Sequence, residues 1–168
     1  AAGRLDDMAL GIECLLTDDP QRAMAMAQEL DDMNQQRKGI ESEMRDQAVA
    51  SLDLMAFDEE ELPAGLCLYD SSWHQGVIGI LAARIKERLH RPVIAFADSG
   101  VDANGSEELK GSARSIAGLH IRDVLDVVAT QNPGLISRFG GHAMAAGLSL
   151  RKVDYARFCD AFARVVAN

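Results

Sequence analysis

No stretch of this 168-residue chain approaches the roughly 18 to 20 consecutive apolar residues that a membrane-spanning helix needs. Its first residues also lack the basic-then-apolar pattern of a secretory signal, so a cytoplasmic protein with no membrane partner is the expectation. Cysteine is scarce. Cys14, Cys67 and Cys159 are odd in number, far apart and in apolar surroundings, which excludes a disulfide framework and a thiolate metal cluster and leaves buried free thiols. Basic residues are outnumbered, 17 Lys and Arg against 26 Asp and Glu, and a net charge of −9 argues against indiscriminate binding of a polyanion. There is no GxxxxGK phosphate loop and no evident Ser/His/Asp set. His74, His90, His120 and His142 lack the close Asp/His spacing of a hydrolytic metal centre, so no metal ligand is assigned in this chain.

What is present is a chain with enough apolar residues, 48%, for one ordinary core or a core plus a peripheral element. Its charge is uneven. Residues 1–62 hold 5 basic and 16 acidic side chains, whereas residues 110–152 hold 6 basic and 2 acidic ones. A local cationic face is therefore compatible with a globally acidic protein, and the local field governs a short nucleic-acid contact.

The opening, residues 1–7, has no initiator Met and reads as an excised edge leading into a short helix over 8–16. Asp19 before Pro20 supplies an N-cap and a favoured first helical residue. From there Met26, Leu30, Met33, Ile40, Met44, Ala48, Leu52 and Met55 recur at helical steps. This predicts one helix over 20–54, continuous through Gly39, about 50 Å long at 1.5 Å per residue. Such a length exceeds a small domain, so the helix is read as an interdomain strut; a coiled-coil arm, through which copies would associate, is the alternative. An acidic run over 58–61 and Pro63-Ala64-Gly65 mark a boundary.

Beyond it the period changes. Strands are expected at 66–69, 92–97, 109–115 and 147–150, and helices at 75–89, 120–130 and 155–166, a mixed α/β layer with flanking helices. Three stretches carry candidate chemistry. Trp73 and His74 lie between the first strand and first helix, where ligand crevices form in α/β layers; the competing reading is a helix entry in which Trp73 covers the core edge. Lys110, Ser112 and Arg114 alternate along a strand with Ser115 following, residue types suited to phosphate oxygens, or else a solvated strand edge. Gly140-Gly141-His142 leads into Ala143-Met144-Ala145-Ala146-Gly147, a backbone that something can approach closely. The small-residue run is read as the start of a short helix whose free N–H groups favour an anion; the alternative is a tight turn into a small-residue helix packed closely on a sheet, with His142 as an ordinary hydrogen-bonded residue.

Together these motifs, with Trp73-His74-Gln75-Gly76 and Val77-Ile78-Gly79, resemble the DHH-associated domain of the DHH phosphoesterase superfamily. The whole chain is similar to the corresponding part of that superfamily's bacterial single-strand-specific DNA exonucleases. The resemblance implies the end of a DHH domain at 1–18, a connector helix and acidic turn at 19–62, and the associated domain at 63–168. It further implies single-stranded DNA as substrate, with Mn²⁺ or Mg²⁺ held by a DHH domain upstream and an oligonucleotide-binding fold in cis. It assigns Ser112, Arg114 and Ser115, with Lys110, Trp73, His74 and Arg4, to the DNA strand. Gly140 and Gly141 would allow close backbone approach, and His142 would stand near the scissile phosphate in a supporting catalytic role. An oligonucleotide or cyclic-dinucleotide phosphodiesterase, a noncatalytic nucleic-acid module and a protein-interaction scaffold are the alternatives.

Overall fold

The computed structural model describes residues 8–53, 62–101 and 104–168. Arg4 and the acidic turn at 58–61 lie outside the described residues. The chain divides into two compact units, Ala1–Gln47 and Ala48–Asn168.

In the first unit, α1 (Ala9–Leu16) is followed by the start of α2 (Pro20–Asp53). Asp19 caps α2 as its position before proline suggests, with Oδ1 accepting from the Gln21 N–H at 2.9 Å and the Arg22 N–H at 3.4 Å. Arg22 and Glu13 form an ion pair that ties the two helices. The helix continues unbroken through Gly39, as its apolar periodicity predicts. Ile12, Leu15, Leu16 and Met24 are exposed.

The second unit is built on a five-stranded sheet of order β1-β2-β3-β5-β4. The strands are β1 (Leu66–Tyr69), β2 (Val93–Val101), β3 (Glu107–Arg114), β4 (Arg138–Gly141) and β5 (Ala145–Arg151). β1 and β2 are parallel, joined by α3 (Ile78–Leu89), and all other neighbours are antiparallel. Two further helices, α4 (Ile121–Gln131) and α5 (Tyr155–Val166), complete the fold.

Side-chain alternation along the strands sorts the two faces. Ile94, Phe96, Leu109, Ala113, Ala146, Leu148 and Leu150 point into one core with the apolar sides of α4 and α5. Within it Phe96 meets Tyr155 and Phe158 edge to face, at 5.5 Å and 5.6 Å between centroids. Gly111 is glycine because of that ring: a Cβ there would lie 2.6 Å from Phe96 and 2.7 Å from Leu148. On the opposite face α3 buries Ile78, Leu81, Ala82, Ile85 and Leu89 and packs on β2 and β3.

Two sequence expectations change. The run after Gly141 begins no helix: the strand expected at 147–150 already starts at Ala145 and runs to Arg151, and Arg138–Gly141, to which no strand was assigned, is its hairpin partner. The cause lies in alternation: Ala146, Leu148 and Leu150 are buried while Ala145 and Gly147 are not, a period of two that a glycine-rich composition disguises as a turn.

Gly39 has open space where a Cβ would stand. Gly39→Ala is expected to stabilise α2 by about 0.5–1 kcal/mol, read as a higher unfolding midpoint and increased helical circular dichroism, since alanine removes only backbone entropy.

Candidate nucleic-acid interface

β3 begins the site. Lys110, Ser112 and Arg114 share the face on which α3 lies, and Ser115 turns to the other side. Ser115 is 1% exposed and its hydroxyl donates to the Leu119 carbonyl at 2.7 Å, so it pins the turn into α4 and is unavailable to a ligand. The Arg114 guanidinium donates from Nη1 to Ser112 Oγ at 3.0 Å and to the Ala113 carbonyl at 2.9 Å. No carboxylate pairs with it among the described residues. Burial pulls its pKa down from the usual value, yet a guanidinium stays charged at neutral pH. It is thus a half-buried cation with neutral partners and spare N–H donors, the electrostatic condition that an anion completes.

Gly79 makes this posture possible. A Cβ on that residue, in the first turn of α3, would fall 2.8 Å from Arg114 Nη2 and 3.3 Å from Ser112 Oγ. The loop entering α3 holds the other aromatic candidates. Trp73 is 8% exposed and covers the core edge, whereas His74 is exposed, its Nδ1 accepting from the Gly76 N–H at 3.1 Å.

The hairpin supplies the rest. His142 lies in the turn, where its own N–H donates to the Ala145 carbonyl at 2.8 Å. Two carbonyls dock this turn: Ala143 accepts from the Ile121 N–H at 2.9 Å, at the start of α4, and Met144 accepts from the Ser115 N–H at 3.0 Å. Gly141 adopts φ +151°, and a Cβ there would sit 2.5 Å from both the Ala145 carbonyl oxygen and Ala146 Cα. No other residue type fits without moving backbone. His142 is exposed at the end of the sheet where Arg114 pairs with Ala145, and its ring has no partner among the described residues.

Register joins the pieces. Ser112 lies beside Gly147, which lies beside Gly140; Lys110 lies beside Ser149, which lies beside Arg138. α3 packs mainly on β2 and β3, and on the part of this face over β5 and β4 Gly140 and Gly147 are exposed. Of the sequence candidates, Lys110, Ser112, Arg114 and Gly140 share one face, with His142 at its end and the loop of Trp73 and His74 leading into the helix beside Arg114. Gly141 shapes the turn, while Ser115 points away. Gly79, Gly147, Arg138 and Ser149 were missed, although a period-of-two reading of 138–151 would have found the last three.

Fold and face define an α/β domain with a cationic, glycine-floored sheet surface. The chain belongs to the DHHA1 domain family, whose profile matches residues 63–168. Among its relatives is the single-stranded-DNA-specific exonuclease RecJ of Dickeya dadantii, 52% identical over all 168 residues, which make up 28% of that protein. The RecJ of Escherichia coli is 51% identical over the same 100% of this chain and 28% of its own length. A crystal structure of RecJ in complex with Mg²⁺ from Thermus thermophilus superposes with a TM-score of 0.64 at 31% identity, over 99% of this chain and 24% of that one. The chain therefore spans about a quarter of the length of these relatives.

Gly79→Ala is expected to leave the fold intact and displace the Arg114 side chain, because the atom it meets is the end of a flexible chain. Gly141→Ala meets backbone and should cost about 1–3 kcal/mol of stability. Urea unfolding of the two variants, with the Arg114 Nε resonance followed by NMR, separates the outcomes.

Proposed function

We propose that this chain is the substrate-gripping portion of a metal-dependent 5′ to 3′ single-stranded DNA exonuclease acting in the cytoplasm in DNA repair and recombination. The observation that carries the reading is the carboxylate-free Arg114 guanidinium, braced by Ser112 against Gly79 beside a bare glycine floor. Identity to RecJ over the whole chain supports the exonuclease reading over an oligonucleotide or cyclic-dinucleotide phosphodiesterase. In this reading residues 1–18 belong to the end of the DHH domain, 19–62 form the connector, and 63–168 are the DHH-associated domain that faces the strand.

Each group has a role that its chemistry allows. Arg114 would hold a phosphate through paired, charge-assisted N–H donors while Ser112 fixes its orientation. Exposed His142, on a turn held by two backbone hydrogen bonds, would donate to the phosphoryl oxygen on which charge develops during cleavage. Trp73 would act by holding the loop that positions His74. RecJ structures obtained with Mg²⁺ and with manganese support divalent-metal use in the intact enzyme. The family resemblance assigns the ligands of such an ion to the DHH domain.

Arg114→Ala should weaken binding of a 5′-phosphorylated single strand about tenfold or more, the loss of hydrogen bonds to a charged group, and Arg114→Lys should recover only part of it. Rising salt should narrow the gap between variant and parent. Fluorescence anisotropy at several salt concentrations measures both, and equal affinities for all three proteins would remove Arg114 from the site. In the full-length exonuclease, His142→Ala should slow single-turnover cleavage more than it weakens binding. The 168-residue chain alone, purified from a nuclease-deficient host and supplied with Mn²⁺ or Mg²⁺, should release no nucleotides; metal-dependent release would refute this division of labour.

A further inference from the structure

The open face has a second polar centre, four residues along β3 from Arg114 and about 13 Å away at the rise of an extended strand. Lys110, Ser149 and Arg138 stand side by side on β3, β5 and β4. With Gly140, Gly147 and Ser99 they line a depression of about 340 Å³. Lys110 is exposed and has no partner among the described residues. Arg138 is held loosely, its Nη2 at 3.5 Å from Glu108 Oε2, which also accepts from Ser99 Oγ at 3.3 Å. Ser149 is the telling member. It is 5% exposed, lines the depression, and its hydroxyl has no hydrogen-bond partner among the described residues. Among the described residues no buried side-chain N or O lacks a partner, so this hydroxyl is reached from outside, and the depression it lines is where a ligand would meet it.

The glycines of this floor point the same way. Gly141 and Gly111 are glycine for internal reasons, but Gly140 has nothing within 4 Å of its would-be Cβ, and Gly147 meets only the Gly111 carbonyl oxygen at 3.9 Å. Neither has positive φ. Strand interiors favour larger residues, so two adjacent glycines that the fold does not require cost stability, and the room they leave lies outside the protein.

We propose that Lys110, Ser149 and Arg138 form a second phosphate subsite, with the intervening sugar and base of a single strand lying on Gly140 and Gly147. This rests on the reading of Arg114 as the first phosphate contact and adds the direction of the strand: across the bare sheet from the Arg114 end toward β4. Lys110 and Arg138 approach the phosphate from two sides, and the Ser149 hydroxyl donates to it from the floor. A mononucleotide held at Arg114 does not reach this centre, whereas a tetranucleotide does.

The 168-residue chain can be titrated by NMR, which resolves millimolar binding, with 5′-phosphorylated thymidine as mononucleotide and as tetranucleotide. Lys110→Ala with Arg138→Ala is expected to weaken the tetranucleotide about tenfold and leave the mononucleotide unchanged. The salt slope for the tetranucleotide should become shallower by about 0.7 for each phosphate that the variant no longer neutralises. Gly140→Val adds bulk where the fold has space, so its unfolding midpoint should hold or rise while tetranucleotide affinity falls comparably. If these variants bind the tetranucleotide like the parent while Arg114→Ala loses it, the second subsite is wrong and the first reading stands. Should Arg114→Ala also bind like the parent, both fall together.

Discussion

A sheet with two apolar faces must be covered on both, and the organisation of this domain follows from covering one of them only in part. The β1-α3-β2 crossover lays a single helix over β2 and β3. Among the described residues of this unit no helix packs comparably on β5 and β4 on that side, and the residues there that meet water are small or polar. Gly140, Gly147, Lys110 and Arg138 meet that condition. The other face packs Phe96 and Leu148 against α4 and against Phe158 and Phe162 of α5, and that core supplies the stability that lets the first remain bare. Open surface and core are alternate residues of the same strands.

Holding the reactive groups on that bare face is a matter of backbone more than of side chains. The hairpin turn is fixed by carbonyls accepting from Ile121 and Ser115, and by the close approach that only glycine permits at position 141. Ser115 belongs to this framework twice, through its N–H to the turn and its hydroxyl to Leu119. Its inward position serves the site by placing His142, whereas Ser112, one strand face away, serves by steadying Arg114. Two serines three residues apart thus do different work because a strand alternates.

Much of this was legible in the residues. The long helix, capped by Asp19-Pro20 and striped at helical spacing, is continuous as its pattern required. Tyr155–Val166 is helical over the span its amphipathic pattern predicted. Lys110, Ser112 and Arg114 are co-facial because their period of two is unambiguous. What failed was the segment with least side chain: glycine and alanine carry little hydrophobic signal, so 138–147 read as turn and helix when it is a hairpin. Arg138 escaped with it, since a residue cannot be assigned to a face until its strand is recognised, whereas Ser149 lay within the expected strand 147–150 but without the neighbour across the hairpin that marks its face. Gly79 was out of reach for another reason, as its role depends on a helix meeting a strand 33 positions away at Ser112.

The central claim, that a single DNA strand lies on the uncovered face between α3 and the β4-β5 hairpin, is tested most directly by photocrosslinking. A 5′-phosphorylated single strand carrying photoreactive bases at its first and third positions would be irradiated with the chain and the attachment sites mapped by mass spectrometry. Crosslinks are expected from the first base to residues 72–79 and 142–145, and from the third to residues 138–140 and 147–149. Attachment concentrated on α4 and α5, across the sheet from that face, would contradict the account.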